Sequence, residues 1–405
     1  MKARLYHYIL LLFFALVSFS LSARGNRNDA EINCDTTIWF INIYPGSEIY
    51  ELEGHSALRI KTCDFDVAIN YGMFSFNSPN FVYRFVKGET DYMVGAIPWP
   101  LFEAEYVNAG RRMVAHKLNL SSDQKARLID LIDDNLKPEN RIYRYNYVLD
   151  NCATRPLRMV ELAVGDTLIL PEPTSTAEVV TFRNYMRYYH DNYPWYQFGI
   201  DLALGNGIDR EINVREKSFA PIVFEEQIDG IRIGNNGEKL VEKTFVIYEG
   251  VPGGVVLEAT PWYLTPLFLS WMLSIILSIY VLTKVLKHKE YPRIAATVLY
   301  TVNGLAGLLV AFLVFISVHE ATSPNVNLLW LNPLCFIPSV TLWLKKAKKL
   351  TLCYFLINFV LLLILLILWI CGYQSPNAAF VPLVVTDMLF SAAYIFLHYS
   401  VCEKN

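Results

Sequence analysis

The sequence predicts an exported α+β domain followed by an all-α bundle of five transmembrane helices. Hydrophobic residues make up 54% of the 405 residues, above the roughly 45–50% of ordinary globular proteins, and the excess lies at the two ends of the chain. The first 23 residues combine a basic start, an apolar run and a small-residue end, which is typical of a secretory signal. Between the two apolar ends, strand-like and helix-like patterns alternate over residues 24–262.

These patterns divide the chain into three parts. We expect a signal peptide over residues 1–23, cleaved near Ser22, although an uncleaved anchor helix is the alternative interpretation. Residues 24–262 are predicted to form the exported domain and residues 263–405 the membrane domain. Basic and acidic residues number 35 and 38, so the charge balance gives no reason to expect a nucleic-acid partner.

The membrane domain contains apolar segments of about the length that crosses a hydrocarbon core of roughly 30 Å. Five such segments lie near residues 265–286, 294–317, 328–344, 350–371 and 378–398. Pro333 and Pro338 interrupt the third segment. Lysine and arginine crowd the first and third connections, whereas the second and fourth contain neither. The positive-inside rule then places those basic connections and the C-terminus in the cytoplasm, and the 24–262 domain outside.

Three of the seven cysteines belong to the exported domain: Cys34, Cys63 and Cys152. Residues 36–44 and 56–62 are predicted to be two antiparallel strands; the first is rich in β-branched and aromatic residues and ends at a Pro-Gly turn. Cys34 and Cys63 would then lie opposite each other at the open end of this pair. We therefore expect a disulfide between them and a free thiol at Cys152. The other four cysteines are interpreted as small hydrophobic residues.

Aromatic residues are unusually frequent between residues 73 and 110, where nine are Phe, Tyr or Trp. They either supply core and loop packing or line an apolar cleft for an acyl chain, and the two roles are compatible. A helix is predicted to follow this region, because Ser121 and Gln124 form a capping box. A second helix is predicted to begin near Cys152, with Pro156 in its first turn, where a missing N–H costs little. Between these two helices, residues 141–149 alternate like a strand or an extended approach.

Cys152 and His55 are the candidate nucleophile and base. A helix start and a neighbouring imidazole both stabilise a thiolate, which is the reactive form of cysteine. His55 stands at the head of the second strand, in GHSAL, and Cys152 lies in YNYVLDNCATR. Most Cys–His pairs in a chain never meet, so a buried, inert cysteine is the alternative interpretation. An early His strand followed by a late Cys helix is the order found in circularly permuted papain-like enzymes.

Further residues are candidates for supporting roles. A base imidazole needs its far nitrogen held by an amide or carboxylate, and Asn70, with Tyr71 behind it, stands on the next predicted strand. Asn70 could equally cap the turn before Gly72. The oxyanion formed in acyl transfer needs fixed donors, and the candidates are the backbone N–H of Cys152 and the side-chain amide of Asn151.

Five stretches carry a more specific resemblance. They read YPGSEIYELEGHSALRI, INYGMFSFNSPNFVYRFVKGETDY, LNLSSDQKARL, PENRIYRYNYVLDNCATR and FGIDLALG. Over about residues 35–220 the sequence resembles the periplasmic domain of the Lnb-type lipoprotein N-acyltransferases of Bacteroidetes, and the membrane tail is similar too. The resemblance implies a fold like the permuted NlpC/P60 and lecithin:retinol acyltransferase (LRAT-like) group, with the nucleophile at Cys152 and the base at His55. The text RPLR after Cys-Ala-Thr departs from the family pattern, so no role is assigned to Arg158.

The resemblance implies an acyltransferase of the bacterial inner membrane with its catalytic domain in the periplasm. A membrane phospholipid would donate an acyl chain to the cysteine, and the N-terminal amine of a diacylated lipoprotein would accept it. The alternatives are a membrane-anchored NlpC/P60-like hydrolase of cell-wall peptides or lipid esters, and a non-enzymatic sensor or chaperone. Five membrane segments favour a substrate that lives in the bilayer, because a cell-wall hydrolase needs only one anchor.

The sequence suggests no metal site and no cofactor. The histidines of the exported domain show no ligand spacing, and there is no Gly-rich phosphate motif. Asp387 lies inside the last membrane segment, where an ionisable group is costly and either functional or held by polar neighbours such as Thr386, Asn303 or Asn358. His319 and Glu320, at the outer end of the second segment, either contact lipid or form a polar helix end.

Overall fold

The structure is a computed structural model, and it describes residues 36–75, 77–173, 181–234, 237–255 and 258–402. The predicted signal peptide and Cys34 lie outside the described residues. In the described part of the chain, seven strands form one antiparallel sheet in the order β10-β5-β1-β2-β3-β4-β6, and three short strands form a second sheet. The strands are β1 (Thr37–Ile43), β2 (His55–Lys61), β3 (Asp66–Met73), β4 (Asp91–Pro98), β5 (Met113–Leu118), β6 (Ile142–Arg144), β7 (Leu168–Ile169), β8 (Arg232–Ile233), β9 (Glu238–Lys239) and β10 (Val241–Tyr248).

Helices of the N-terminal domain connect and cover these strands. They are α1 (Phe81–Lys87), α2 (Trp99–Asn108), α3 (Ser122–Leu136), α4 (Thr154–Val164), α5 (Phe182–Tyr189), α6 (Pro194–Ala203), α7 (Val214–Lys217) and α8 (Pro221–Ile228). The predicted capping box at the start of α3 is present, because Ser121 Oγ accepts from Gln124 N and Ser121 N donates to Gln124 Oε1. The expected strand over 141–149 is shorter than predicted: only Ile142–Arg144 pair with β4.

Helices cover both faces of the large sheet. Side chains that alternate along a strand point to opposite faces, so successive residues of the central strands enter different cores. On one face Ile38, Phe40 and Leu58 pack against α3, α4 and α8, with the rings of Phe40 and Phe224 4.8 Å apart. On the other face Ile41 and neighbouring side chains pack against α2. Each fully buried aliphatic side chain contributes about 1.5–3 kcal/mol, so the two cores hold the strand ends in fixed positions.

The C-terminal part is helical. Its helices are α9 (Pro266–Leu282), α10 (Arg293–Phe315), α11 (Phe336–Thr341), α12 (Lys348–Ile370) and α13 (Phe380–Cys402). Within the described residues, four helical stretches are long and apolar enough to cross a membrane, and they contain α9, α10, α12 and α13. They coincide with four of the five predicted segments.

The predicted third crossing, residues 328–344, is not one continuous helix. It consists of short turns, Val326–Leu329 and Pro333–Cys335, followed by the six-residue α11. Pro333 and Pro338 cause the break, because proline has no N–H to donate and its ring clashes with the preceding turn. The expectation of five transmembrane helices is therefore corrected to four long helices and one broken segment.

The broken segment runs antiparallel to α10. Trp343 Nε1 donates to Thr297 Oγ1 (2.9 Å), and Thr301 Oγ1 donates to Ser339 Oγ (3.1 Å). Nearer the other end of α10, a Cβ added at Gly307 would lie 2.4 Å from the backbone nitrogen of Asn332. Glycine at this position therefore allows the two backbones to touch, and the segment follows α10 over much of its length.

Two membrane connections contact the N-terminal domain. After α10, His319 Nε2 donates to the Phe85 carbonyl oxygen (2.9 Å). After α12, Asn377 Nδ2 donates to Asp201 Oδ2 (2.9 Å), and Arg187 binds the neighbouring backbone. These are the second and fourth connections, the two without basic residues, so both lie on the side of the membrane domain that faces the sheet.

Candidate active site

Cys152 lies in a tight loop, two residues before the first residue of α4. Asn146 and Asp150 exchange backbone hydrogen bonds of 3.1 and 3.0 Å, which closes the loop just before the cysteine. Asp150 then forms two hydrogen bonds with Arg155 in the first turn of α4. The loop is thus fixed at both ends, and the cysteine is held near the helix start as predicted.

Asn151 was a candidate donor to the oxyanion, but in the structure its side chain binds the backbone. Its side-chain nitrogen donates to the carbonyl oxygens of Tyr147 and Phe219, and its Oδ1 accepts from the N–H groups of Ala153 and Thr154. Both amide hydrogens are therefore occupied, and the side chain has none left for an oxyanion. Asn151 anchors the loop that carries Cys152.

Three hydrogen-bond donors lie at the sulfur of Cys152, and one of them is the residue's own backbone N–H. The backbone N–H of Ser56 and the hydroxyl of Tyr145 both hydrogen bond Sγ, and their effect is to lower the pKa of the thiol. Burial has the larger and opposite effect, so the pKa of Cys152 is raised to about 11. The resting group is a neutral thiol, in contrast to the thiolate expected from the helix start. Tyr145 is the first residue of the stretch YNYVLDNCATR, but the sequence analysis assigned it no role, because nothing in the sequence distinguishes it from the neighbouring tyrosines.

His55 is held by Asn70, as predicted. His55 Nε2 and Asn70 Oδ1 are 2.8 Å apart, and since a carbonyl oxygen only accepts, Nε2 carries the proton and Nδ1 keeps a free lone pair. The His55 ring also stacks on Tyr106, with centroids 6.0 Å apart. Burial lowers the pKa of His55 to about 4; the hydrogen bond to Asn70 opposes this and the charge of Arg111 adds to it. The imidazole is therefore neutral, which is the form that accepts a proton.

Strand pairing brings His55 and Cys152 to the same end of the sheet. Ala57 pairs with Asn70, and extending that register by two residues places His55 opposite Gly72. A Cβ added at Gly72, which has a φ of +86°, would lie 3.6 Å from Cys152 Cβ. Within the described residues no hydrogen bond joins the His55 ring to Sγ, so the two groups are neighbours that a bound substrate has to connect.

Tyr71 does not stand behind Asn70. Successive residues of a strand point to opposite faces, and Tyr71 is fully buried in the core between the sheet and α4. Its hydroxyl has no hydrogen-bond partner in the described residues, and burial raises its pKa. Tyr71 therefore supports the sheet beneath the site and does not contact His55.

A small cavity of about 40 Å³ opens beside the thiol. Besides Cys152, the residues that line it include Glu53, Tyr145 and Tyr147. Glu53 immediately precedes Gly54 and His55 in the chain and is 8% exposed. It was missed in the sequence, because an acidic residue in a turn is usually a solvated one.

An aromatic path leads from the thiol toward the membrane domain. Adjacent rings have centroids between 4.4 and 5.9 Å apart. The path consists of Tyr145, Tyr92, Phe74, Phe81 and Phe85. Tyr145 binds Cys152 Sγ at one end, and at the other end Phe85 contacts His319, just beyond α10. The rings are partly exposed, so packing and a lipid-facing role are compatible, as expected from the sequence.

The cysteines agree with the expectation as far as they are described. Cys152 is a free thiol, and Cys63 is disulfide-bonded. Cys34, the predicted partner of Cys63, lies outside the described residues. The pairing itself stays a prediction.

The polar groups of the membrane domain have partners. Asp387 accepts hydrogen bonds from Tyr300 (2.5 Å), Asn358 (2.9 Å) and Asn303 (3.3 Å), whereas Thr386 bonds elsewhere. His319 binds the N-terminal domain, as described above. In the part of the chain that the structure describes, no group of three or more His, Cys, Asp or Glu residues could hold a metal ion.

Two family models match the chain. The Lnb N-terminal periplasmic domain matches residues 29–185, and the Lnb transmembrane domain matches residues 258–401. The chain belongs to the Lnb family. No curated protein and no solved structure matches it.

Lnb membership identifies the two parts of the structure. The sheet-and-helix part is the periplasmic domain and the helical part is the transmembrane region, so the chain is an inner-membrane protein. Lnb domains indicate an enzyme of the lipoprotein N-acyltransferase family.

Proposed function

We propose that this protein transfers an acyl chain from a membrane phospholipid to the N-terminal amine of a diacylated lipoprotein. In the first step the Cys152 sulfur attacks the ester carbonyl carbon of the phospholipid. The S–C bond forms, the ester C–O bond breaks, and the thiol proton passes through His55 to the leaving alcohol. In the second step the lipoprotein amine attacks the thioester carbon, the N–C bond of the amide forms and the C–S bond breaks; the amine gives a proton to His55, which passes it to the thiolate.

The observation that carries this proposal is the environment of the thiol at the end of the sheet. Cys152 is a free thiol beside a neutral imidazole whose Nε2 is held by Asn70. A neutral imidazole with a free Nδ1 is ready to take a proton when a carbonyl reaches the sulfur. The donors that now bind Sγ, the Ser56 N–H and the Tyr145 hydroxyl, are also suited to the negative charge of the tetrahedral intermediate.

The aromatic path favours a lipid donor. It links Cys152 to the end of α10 through partly exposed rings, which suit an acyl chain more than a polar peptide. The order of the elements also agrees with an acyl-transfer enzyme. The strand that begins with His55 precedes the helix that follows Cys152, as in the permuted papain-like group. The alternative, a membrane-anchored hydrolase, uses the same thiol and differs only in the acceptor, which is water.

We also propose a topology with five crossings and a cytoplasmic C-terminus. The second and fourth connections contact the periplasmic domain, so the segment between them must cross the membrane twice. α12 supplies one crossing, and the broken segment along α10 supplies the other. The lysines at 345–349 then face the cytoplasm, which agrees with the positive-inside rule.

The test of the proposed function is mass spectrometry of the intact full-length protein, incubated with a phospholipid of defined acyl chains and no lipoprotein. We expect a mass increase of one acyl group that hydroxylamine removes, and no increase for Cys152→Ala. Continuous release of free fatty acid without an acceptor would favour the hydrolase. Absence of any acyl-enzyme from the active wild type would contradict the two-step mechanism.

A further inference from the structure

Glu53 is a buried carboxyl group beside Cys152, and the described residues supply no lysine or arginine to balance its charge. Its side chain is about nine-tenths buried and lines the cavity that contains Cys152. Among the described residues, no lysine or arginine forms an ion pair with it; its nearest basic group is His190, whose Nε2 is 3.7 Å from Glu53 Oε1. Buried carboxylates are normally paired, so a carboxylate placed here without a partner indicates a site for an incoming cation.

His190 does not supply a hydrogen bond to this carboxyl group. Its Nε2 is 3.7 Å from Glu53 Oε1, which is beyond hydrogen-bond distance. Neither atom has a hydrogen-bond partner in the described residues. The hydroxyl of Tyr147 holds the carboxyl group from another side. A buried carboxyl oxygen without a hydrogen-bond donor, in the lining of the cavity that contains Cys152, fits a group with several N–H bonds.

We propose that Glu53 is the binding site and proton acceptor for the α-ammonium group of the lipoprotein acceptor. This inference rests on the proposed function and deepens it, because it assigns the second half of the reaction to a residue that the first half does not need. An α-amine has a pKa of about 7.7–8, so it reaches the enzyme largely as an ammonium ion. That ion cannot attack a thioester until it loses a proton.

The steps balance as follows. The ammonium R–NH3⁺ binds the carboxylate of Glu53 and gives it one proton, leaving R–NH2 and a neutral carboxylic acid. The amine nitrogen then attacks the thioester carbon, the C–S bond breaks, and Cys152 leaves as a thiolate. A second N–H proton passes to His55 Nδ1 and from there to the sulfur. Glu53 returns its proton to solvent, and the products are the amide and the free thiol.

The ionisation of Glu53 suits this task. Burial raises its pKa to about 7, and the hydrogen bond from Tyr147 opposes the rise. A base is most effective when its pKa is close to that of the group it deprotonates and to the working pH. Its proton exchange with an α-amine is therefore nearly balanced in energy. An ordinary glutamate, with a pKa of about 4.3, would bind the ammonium but hardly deprotonate it.

The experiment separates the two half-reactions in the full-length protein with Glu53→Gln. The enzyme is first acylated by a phospholipid of defined chains, and the decay of the thioester is then followed after a synthetic diacylated cysteine peptide is added. We expect the variant to form the thioester within about threefold of the wild-type rate. We expect transfer to the peptide to slow on the order of 10²-fold, since general-base assistance contributes about 10²–10⁴-fold.

Two controls identify the cause. Hydroxylamine is largely uncharged near neutral pH and needs no deprotonation, so it should cleave the thioester of Glu53→Gln at the wild-type rate. Glu139→Gln removes one negative charge, as Glu53→Gln does, but from an exposed carboxylate. This variant should transfer the acyl group at the wild-type rate. If Glu53→Gln does not fold, Glu53→Asp is the substitute, because it keeps the carboxylate on a shorter side chain. It should form the thioester at nearly the wild-type rate and show a smaller decrease in the rate of transfer.

The outcomes distinguish the two proposals. Equal slowing of thioester formation and transfer, or normal transfer by Glu53→Gln, would overturn the role of Glu53 and leave the proposed function standing. A wild-type protein that forms no thioester at all would overturn the proposed function, and the acceptor site with it.

Discussion

At the residue scale, the resting site is a neutral pair. Burial raises the pKa of Cys152 and lowers the pKa of His55, so both groups lose their charged forms to desolvation. The thiol is therefore protected from unspecific reaction, and substrate binding has to supply the contact through which the proton moves. Such a site suits an enzyme that must not react until a lipid has entered.

The thiol should consequently alkylate slowly. A free cysteine with a pKa of about 8.5 is partly thiolate at pH 8, whereas a pKa of about 11 leaves on the order of one part in 10³. We expect iodoacetamide to label Cys152 at least about tenfold more slowly than glutathione at pH 8, with the rate still rising above pH 9. Cys152→Ala corrects for the other free cysteines. Rapid labelling with an apparent pKa below 7 would indicate a thiolate–imidazolium pair instead.

Asn70 should affect the rate of thioester formation because it orients the His55 ring. Asn70→Ala removes the acceptor at His55 Nε2 and leaves the ring free to rotate, so we expect thioester formation to fall roughly 10- to 100-fold, less than for His55→Ala. Asn70→Asp keeps an acceptor and should retain more activity than Asn70→Ala. The rate of acyl-enzyme formation is the measurement, and full activity of Asn70→Ala would show that the contact is only structural.

The sequence could place His55 and Cys152 because His55 begins β2 and Cys152 lies two residues before α4. Asn70 lies on the neighbouring strand β3, and the catalytic role of the three residues stays a prediction. The sequence could not assign Asn151, since whether an amide faces the substrate or the backbone depends on loop closure, here with Phe219 sixty-eight residues away. Glu53 and Tyr145 were not assigned to the site from the sequence for the same reason. Their roles come from burial against residues distant in the chain, and no local pattern encodes that burial.

At the element scale, a charged network fastens α8 to the sheet beneath the site. His116 of β5 donates to Glu225 Oε2 (2.8 Å) and Asp229 Oδ1 (2.9 Å). Glu225 also accepts from Asn42, whose Oδ1 accepts from Ser56 Oγ. The same Ser56 supplies the N–H that binds the Cys152 sulfur, so this network fixes the strand end next to Cys152.

This network should make stability depend on pH. Burial lowers the pKa of His116, but its hydrogen bonds to Asp229 and Glu225 outweigh burial and raise the pKa to about 9. A raised folded-state pKa gives stability that is complete below about pH 6.5 and lost as the pH rises through 9, on the order of 3 kcal/mol. We expect the melting temperature of the wild type in detergent to fall roughly 5–10 °C more than that of His116→Gln between pH 6 and 10. Parallel curves would contradict this charge assignment.

Helix prediction succeeded for the four long membrane helices, because an uninterrupted apolar run suffices for them. The third segment failed as a helix for a local reason, its two prolines. Its course along α10 depends on the close approach at Gly307, and a contact of that kind is not visible in either segment alone.

At the scale of the whole molecule, the membrane domain is docked against the periplasmic domain. The second and fourth connections contact the periplasmic domain. The aromatic path from Cys152 ends at one of these contacts, where Phe85 meets His319. The buried Asp387, with its three donors, ties α13 to α10 and α12. The fold class of each half follows from the sequence, whereas their docking rests on single side chains that composition does not reveal.

The five-crossing arrangement makes a direct prediction. In intact spheroplasts, an impermeant thiol reagent should modify a cysteine introduced at Pro324 and spare one introduced at Lys346, because the two positions lie at opposite ends of the broken segment. Permeabilised cells should label both and serve as the control. Labelling of position 346 from outside would show that the segment does not cross.

The central claim is that Cys152 carries the acyl group to the lipoprotein. The most direct measurement is mass spectrometry of a lipoprotein's N-terminal peptide, in a strain that depends on this protein for its third acyl chain. The wild-type protein should give triacylated peptide, and Cys152→Ala, present in the membrane at equal amount, should give only diacylated peptide. Full triacylation by Cys152→Ala would contradict the mechanism.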